Sequence, residues 1–338
     1  MAKIQGLLAM SKQIKSKQAR LITIFGGSGF IGRHLVQNLA AQGYRIRVGV
    51  RRPDLAGRLQ PLGSVGQIMP VQANVRFPKS LESACQGADI VINLTGILSP
   101  TGNQSFEAVH EFGAGAVAKA AANANVSTLL HLSAIGADKN GASIYYKSKG
   151  AGEENVLKAF PKAIIVRPSL VFGPEDAFFN KFAELARFSP ILPLIGGGTT
   201  KFQPVYVGDV AKAISKLLEN ASSQGKIYEL GGPEVLSFKQ LLQFITKTTE
   251  RKRLLVPVPW FAAKLMGRVL GILPSPMLTR DQVIMLQSDN VVSDTAEKDH
   301  RSLQGLGIEG ETIASQVPSY LYRYKKFGQY TETGNSTI

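Results

Sequence analysis

The fold is decided at LITIFGGSGFIGRHLVQNLA, residues 21–40. Leu21–Phe25 is an apolar-rich run that ends in glycines, as a strand buried on both faces of a parallel sheet does. After it, Ile31, Leu35 and Leu39 recur at a spacing of four, which is one face of a helix, and Gly43 supplies a C-terminal stop. Gly26, Gly29 and Gly32 fall in the turn between the two. The first permits a tight bend, the second lets backbone approach a ligand, and the third lets helix and strand pack closely. The N–H groups at the helix opening, at Phe30 and Ile31, have no intrahelical partner and face an anion together with the helix dipole. A glycine triplet alone is weak evidence. Between a strand and a helix it marks a dinucleotide site.

Working outward, Ile46, Val48 and Val50 alternate with Arg45, Arg47 and Gly49 as a second strand. Residues 68–73 and 88–94 supply a third and a fourth. An alanine-rich helix over 106–122 leads to a fifth strand at 126–133, a helix at 144–159 and a sixth strand at 163–166. This alternation predicts an α/β fold, a Rossmann-type doubly wound parallel sheet. Beyond Pro168 the pattern loosens into a smaller, mixed lobe: a helix at 178–188, a Pro- and Gly-rich loop at 191–198, then strand and helix over 204–218. The expected organisation is a basic extension at 1–20, an NAD(P)-binding Rossmann domain at 21–170, a C-terminal lobe at 171–330 with segments returning to the sheet, and a frayed tail at 331–338.

The end of the second strand discriminates between cofactors. A carboxylate there binds a ribose 2′-hydroxyl, whereas arginines favour a 2′-phosphate. Here Val50 is followed by Arg51 and Arg52, with no carboxylate before Asp54. Forked guanidinium hydrogen bonds at that place favour NADP(H) over NAD(H).

Composition narrows the classes further. The net charge is +15, and Asp54 is the first acidic residue. Such a basic surface attracts phosphates, anionic lipid or an acidic partner. Basic and aromatic residues are not interleaved as in RNA-binding modules, which counts against nucleic acid. A single cysteine, Cys85, excludes an internal disulfide framework. The histidines, His34, His110, His131 and His300, lack ligand spacing and read as packed or surface residues, with no metal expected. Residues 1–20 read either as a solvated extension or as an organelle-targeting segment.

Tyr145 and Lys149 stand four apart on the helix expected at 144–159, and so share a face. An ammonium there lowers a phenol's pKa and hydrogen-bonds a nicotinamide ribose.

With these pieces in place, the chain resembles an extended, atypical short-chain dehydrogenase/reductase. The matching residues are Gly26-x-x-Gly29-x-x-Gly32, Tyr145-x-x-Ser148-Lys149-x-x-x-Glu153, Arg167-Pro168 with Phe172-Gly173-Pro174, and Pro204 to Asp209. The resemblance implies that Asn74 lies near the adenine, that Leu94, Thr95 and Gly96 line the cofactor, and that Pro168 lies near the nicotinamide. It makes Ser133, Tyr145 and Lys149 the candidate catalytic residues and Asp209 a structural anchor. The stretches AFPKAIIVRPSLVFGPEDAFFNKFA, QPVYVGDVAKAI and LTRDQVIMLQSDNVV are similar, more closely, to the short-chain-dehydrogenase-like accessory subunit family of respiratory complex I. That similarity implies a bound NADP(H) in a structural or assembly role, peripheral-arm subunits of complex I as partners, and contact with a membrane surface. The implied location is cytoplasmic at the inner membrane in a bacterium, or the matrix side in a mitochondrion.

One departure bears on activity. Active extended members pair small hydroxyl residues after the fifth strand; here Ser133 is followed by Ala134, and the segment from Ser133 to Tyr145 is short. The alternative function is a free-standing NAD(P)-dependent oxidoreductase, epimerase or dehydratase using Tyr145 and Lys149. Within 257–273, Phe261, Leu265, Val269 and Ile272 fall near one helical face, with Lys264 and Arg268 elsewhere. That segment reads either as a core-facing amphipathic helix or as a docking face for membrane-proximal helices of a partner.

Overall fold

The structure is a computed structural model that describes residues 20–271, 278–326 and 328. The extension at 1–19, Ile272 and the tail at 331–338 lie outside the described residues. The chain partitions into two compact units. The first comprises residues up to Asn140, Lys147–Arg167 and Ala211–Tyr228; the second comprises Gly141–Tyr146, Pro168–Val210 and the residues from Glu229 on.

The organising sheet has seven strands. They are β1 (Leu21–Phe25), β2 (Arg45–Val50), β3 (Ile68–Gln72), β4 (Ile90–Asn93), β5 (Thr128–Leu132), β6 (Ile164–Pro168) and β7 (Ile227–Leu230), in the order β7-β6-β5-β4-β1-β2-β3. Every recorded pairing from β3 across to β6 is parallel. The reversal beside β1 is the topological switch of a Rossmann sheet, and ligands bind beyond the carboxyl ends of the strands there. β1, β4 and β5 are apolar in near-continuous runs because both of their faces are covered.

The helices that concern the site are α1 (Phe30–Ala41), α2 (Pro78–Cys85), α3 (Gly113–Asn123) and α4 (Ile144–Ala159). α1 buries Leu35, Val36 and Leu39, one turn apart, as its spacing predicts. On the face covered by α2, α3 and α4, Leu81, Val91, Val117, Leu129, Val156 and Ile165 form one core. The alanines of α3 let it lie close to the sheet.

Two expectations are corrected. The helix predicted from 106 does not run on as a regular α-helix. Its first part, Glu107–Phe112, is wound as a π-turn before α3 begins. The stretch read as a loop at 191–198 contains a strand, Ile191–Ile195, that pairs in parallel with Leu254–Val258. Pro193 and the following glycines masked it, because proline removes a ladder donor and survives only on short or edge strands.

The second unit centres on Phe172, Phe179, Phe238, Leu241 and Val317; its helices are α5 (Phe179–Phe188), α7 (Phe238–Thr248), α8 (Trp260–Leu270) and α9 (Arg280–Met285), while α6 (Val207–Glu219) belongs from Ala211 on to the first unit. Here the amphipathic segment of 257–273 departs from the core-facing reading. In α8 the buried residues are the small ones, Ala263 and Gly267, whereas Phe261, Leu265 and Val269 are 78%, 62% and 62% exposed. The reason is steric. A Cβ on Gly267 would stand 2.8 Å from the Arg280 nitrogen, so α8 meets α9 through its small residues and turns its large apolar ones outward. No helix among the described residues is long and apolar enough to cross a membrane.

Candidate nucleotide site

The glycine turn is built for close approach. Gly26 has φ +80°, and a Cβ there would stand 2.9 Å from the Leu94 carbonyl carbon, so the end of β4 presses against the turn. Gly32 is buried, and its Cβ would meet Gly27 Cα at 2.5 Å, so no side chain fits. Gly29 differs from both. It is exposed, its φ of −76° suits any residue, and its N–H closes the turn onto the Gly26 carbonyl at 3.0 Å. An added Cβ would crowd only that carbonyl, at 3.2 Å. Its bareness therefore leaves the outer side of the turn open. Phe30 and Ile31 form the first turn of α1, which carries no acidic residue to compete for an anion.

Two arginines bond to this turn, and two more directly follow β2. Arg51 and Arg52 end β2 in exposed positions, and Arg52 pairs with Asp54 at 2.8 Å. Asp54 holds Arg52 above its ordinary pKa, and Arg52 holds Asp54 below its own. Two further arginines were invisible to motif reading. Arg58 donates to the Ser28 carbonyl at 3.3 Å, and Arg33 Nε to the Gly29 carbonyl at 3.4 Å. Only the folding of residues 53–62 back over the turn brings Arg58 there.

Asn74 is half-buried, and its side chain is used locally: Oδ1 accepts the Arg76 N–H at 3.1 Å, while its own N–H donates to Ser80 Oγ. Leu94 and Thr95 follow β4 directly. Thr95 donates through both N–H (3.1 Å) and Oγ1 (2.5 Å) to Asn93 Oδ1, which forces the amide nitrogen of Asn93 toward His131 Nδ1 at 3.2 Å. That nitrogen accepts, so the proton of His131 is on Nε2. Both His131 Nε2 and Ser133 Oγ are buried without a hydrogen-bond partner among the described residues. Two residues apart on β5 and its continuation, they face the same side of the sheet.

His110 and Lys149 complete this buried group. Lys149 is 5% exposed, and its Nζ donates to the Leu132 carbonyl at 3.3 Å. Burial pulls its pKa down to about 8, against the opposing pull of Glu153. Burial, then the nearby Lys149 charge, pushes His131 down to about 3 and His110 to about 2, so both rings are neutral at ordinary pH. These two histidines are packed, as read, and they lie near Lys149, a candidate site residue. Spacing offered no signal, because the contacts run between β4, β5, the π-turn and α4.

Tyr145 is buried, and burial followed by Tyr146 raises its phenol above the ordinary value. The first turn of α4 is held from afar. Asp281 accepts the Ile144 N–H at 2.7 Å, the Tyr145 N–H at 3.0 Å and the Ser143 hydroxyl at 2.9 Å. Asp281, on α9, thus adds to the local cap, in which Ser143 Oγ accepts the Tyr146 N–H at 3.3 Å. Glu153 and Arg167, both drawn from the matching motifs, form a bidentate ion pair at 2.9 and 2.6 Å that ties α4 to β6. Pro168 is buried at the end of that strand. Asp209 is fully buried and accepts the Glu311 N–H at 2.7 Å, the contact of an anchor.

A Rossmann sheet with a bare glycine turn and a helix N-terminus at its switch point defines a nucleotide-binding protein of the dehydrogenase type. The chain belongs, more narrowly, to the NAD dependent epimerase/dehydratase family, whose model matches residues 22–231. It is 36% identical over 318 residues to the mitochondrial NADH dehydrogenase [ubiquinone] 1 alpha subcomplex subunit 9 of Arabidopsis thaliana, covering 90% of this chain and 78% of that subunit. It is 30% identical to the mitochondrial NADH-ubiquinone oxidoreductase 40 kDa subunit of Neurospora crassa, covering 91% and 80%. Among solved structures, an NADPH-dependent quinone oxidoreductase from Escherichia coli complexed with NADPH superposes with a TM-score of 0.70 at 19% identity, covering 89% and 99%. That last likeness is one of fold.

Proposed function

We propose that this protein is an NADP(H)-binding accessory or assembly component of a respiratory NADH:quinone oxidoreductase, in which the nucleotide is a structural part. The observation that carries this is the similarity, over nine-tenths of the chain, to subunits of that complex. Gly26, Gly29, Gly32 and the N–H groups at Phe30 and Ile31 would receive the pyrophosphate. Arg51 and Arg58, with Arg52 shared with Asp54, would favour a 2′-phosphate, while Leu94, Thr95 and Pro168 would line the rest and Asn74 would stay near the adenine. Lys149 and Tyr145 would grip the nicotinamide ribose. The bound group supplies hydride chemistry where it turns over; here the residues support retention instead. A phenol raised by burial holds its proton, whereas general acid–base work needs a pKa near the operating pH. Ala134 withholds the second hydroxyl beside Ser133.

Native mass spectrometry of the respiratory complex, and of the purified chain, tests this. The expected result is one NADP(H) retained per chain and the chain present in the complex. A chain that carries no dinucleotide, or whose deletion leaves the complex unchanged, would overturn the reading. Steady-state NADPH oxidation with a carbonyl substrate, abolished by Tyr145→Phe, would instead establish the free-standing enzyme.

The exposed stripe of α8 is the proposed contact with a peripheral-arm subunit. Three large side chains in one line, flanked by Arg268, form a surface that a soluble protein seldom leaves bare. Leu265→Glu with Val269→Glu is expected to release the chain from the complex on native gels, with nucleotide content unchanged. Retention in the complex would exclude this face. Loss of binding to lipid vesicles rather than to the complex would assign the stripe to the membrane.

A further inference from the structure

His110 belongs neither to the glycine motif nor to the Tyr145 and Lys149 pair, yet several parts of the first unit converge on it. The π-turn at Glu107–Phe112 carries it. Single-turn widenings of this kind recur at functional positions, because they re-aim one side chain without ending the helix. Its ring stacks on Phe106 at 5.3 Å. α4 presents Gly152 beneath its backbone carbonyl, where a Cβ would collide with the oxygen.

The ring itself makes a two-sided bridge. His110 Nε2 accepts the Ile97 N–H at 3.0 Å, so the ring proton is on Nδ1 and is donated to Ser148 Oγ at 2.9 Å. On one side is the backbone that continues from Leu94 and Thr95; on the other is the residue preceding Lys149. Gly96 lies between them. A Cβ there would stand 3.3 Å from Lys149 Nζ and 3.6 Å from His110 Nε2. The loop, the imidazole and the ammonium are thus in contact at one point. A protonated ring could not accept from Ile97, and burial prevents that protonation.

We propose that His110 is a positioning residue for the nicotinamide half of the dinucleotide, fastening the 94–97 segment to α4 and so fixing that backbone relative to the Lys149 ammonium. The proposal rests on the reading of the first unit as a dinucleotide site. It differs from that reading in being confined to one half of the ligand. The arginines near the glycine turn bond to the Ser28 and Gly29 carbonyls and to Asp54, so their hold on the adenosine half would not run through His110.

The test uses the full chain and two probes, NADPH and adenosine 2′,5′-bisphosphate, with dissociation constants from calorimetry. His110→Leu leaves the half-buried Ile97 N–H without its acceptor, and is expected to weaken NADPH about tenfold. Adenosine 2′,5′-bisphosphate should stay within about twofold of the unsubstituted protein, since its contacts are elsewhere. His110→Gln, whose Oε1 can occupy the place of Nε2, should recover most of the NADPH affinity and keep the chain folded if leucine does not. Parallel weakening of both probes by the glutamine variant, or unchanged NADPH binding by both variants, would overturn the positioning role. Failure of the unsubstituted protein to bind either probe would overturn the dinucleotide reading itself, and the proposal with it.

Discussion

Gly32→Ala is expected to cost about 3 kcal/mol or more of folding stability, and Gly29→Ala only about 1 kcal/mol. The difference follows from where each Cβ would go. At Gly32 it would be driven into the Gly26 and Gly27 backbone, and backbone cannot yield as a flexible side chain does. For a chain of this size a penalty of about 3 kcal/mol is about 4 °C in the thermal midpoint. At Gly29 the new methyl meets only the Gly26 carbonyl, and the residue is an N-cap, where alanine is modestly unfavourable. The order reverses for binding. The Gly29 methyl would stand on the exposed side of the turn, where the pyrophosphate must approach, and NADPH affinity should fall by about tenfold or more. Calorimetric unfolding and NADPH titration of the two variants check both halves. An alanine at 29 that leaves affinity unchanged would remove Gly29 from the site.

Acidification to pH 5 is expected to destabilise the first unit by about 2 kcal/mol for each of His110 and His131. Both have folded-state pKa values depressed from 6.5, to about 2 and about 3 respectively, first by burial. The denatured chain therefore takes up protons as pH falls below 6.5, while the native rings stay neutral until about pH 3. Stability is retained above 6.5 and lost progressively below it. The readout is the difference in thermal midpoint between pH 7.5 and pH 5, which cancels whatever a substitution costs at neutral pH. His131→Asn and His110→Gln should each shrink that difference by a comparable amount. An equal acid response in the variants would show that the rings titrate normally. Lys149 has the same sign in a higher window. Its pKa falls from 10.5 to about 8 on folding, so the native state sheds its proton first and stability rises between those values.

The sheet was legible because its signals are local. A strand buried on both faces must be apolar throughout, a helix laid on it must repeat its apolar residues every turn, and a turn without room for Cβ must be glycine. These rules located β1, β2, α1 and α4 and identified Gly26, Gly29, Gly32, Tyr145 and Lys149 as positions of interest. Arg51 and Arg52 were visible for the same reason, since they follow β2 directly. The π-turn was hidden, because Glu107–Phe112 has the composition of an ordinary helix. The strand at Ile191–Ile195 was hidden by its proline and by a partner, Leu254–Val258, far along the chain.

The glycine turn and the basic end of β2 are thus properties of the sequence alone, each written within a few consecutive residues, and the parallel sheet is written in the alternation of strands and helices. What the tertiary structure alone decided is which side chains share a space. Arg58 reaches the turn, Asp281 caps α4, and His110, His131 and Lys149 form one buried group because elements distant in the chain are brought together by the packing of the sheet and its helices. The outward face of α8 was decided the same way. Periodicity shows that a helix has an apolar side, but whether large or small residues meet the neighbour depends on how closely the backbones approach, and at Gly267 they approach too closely for anything but glycine.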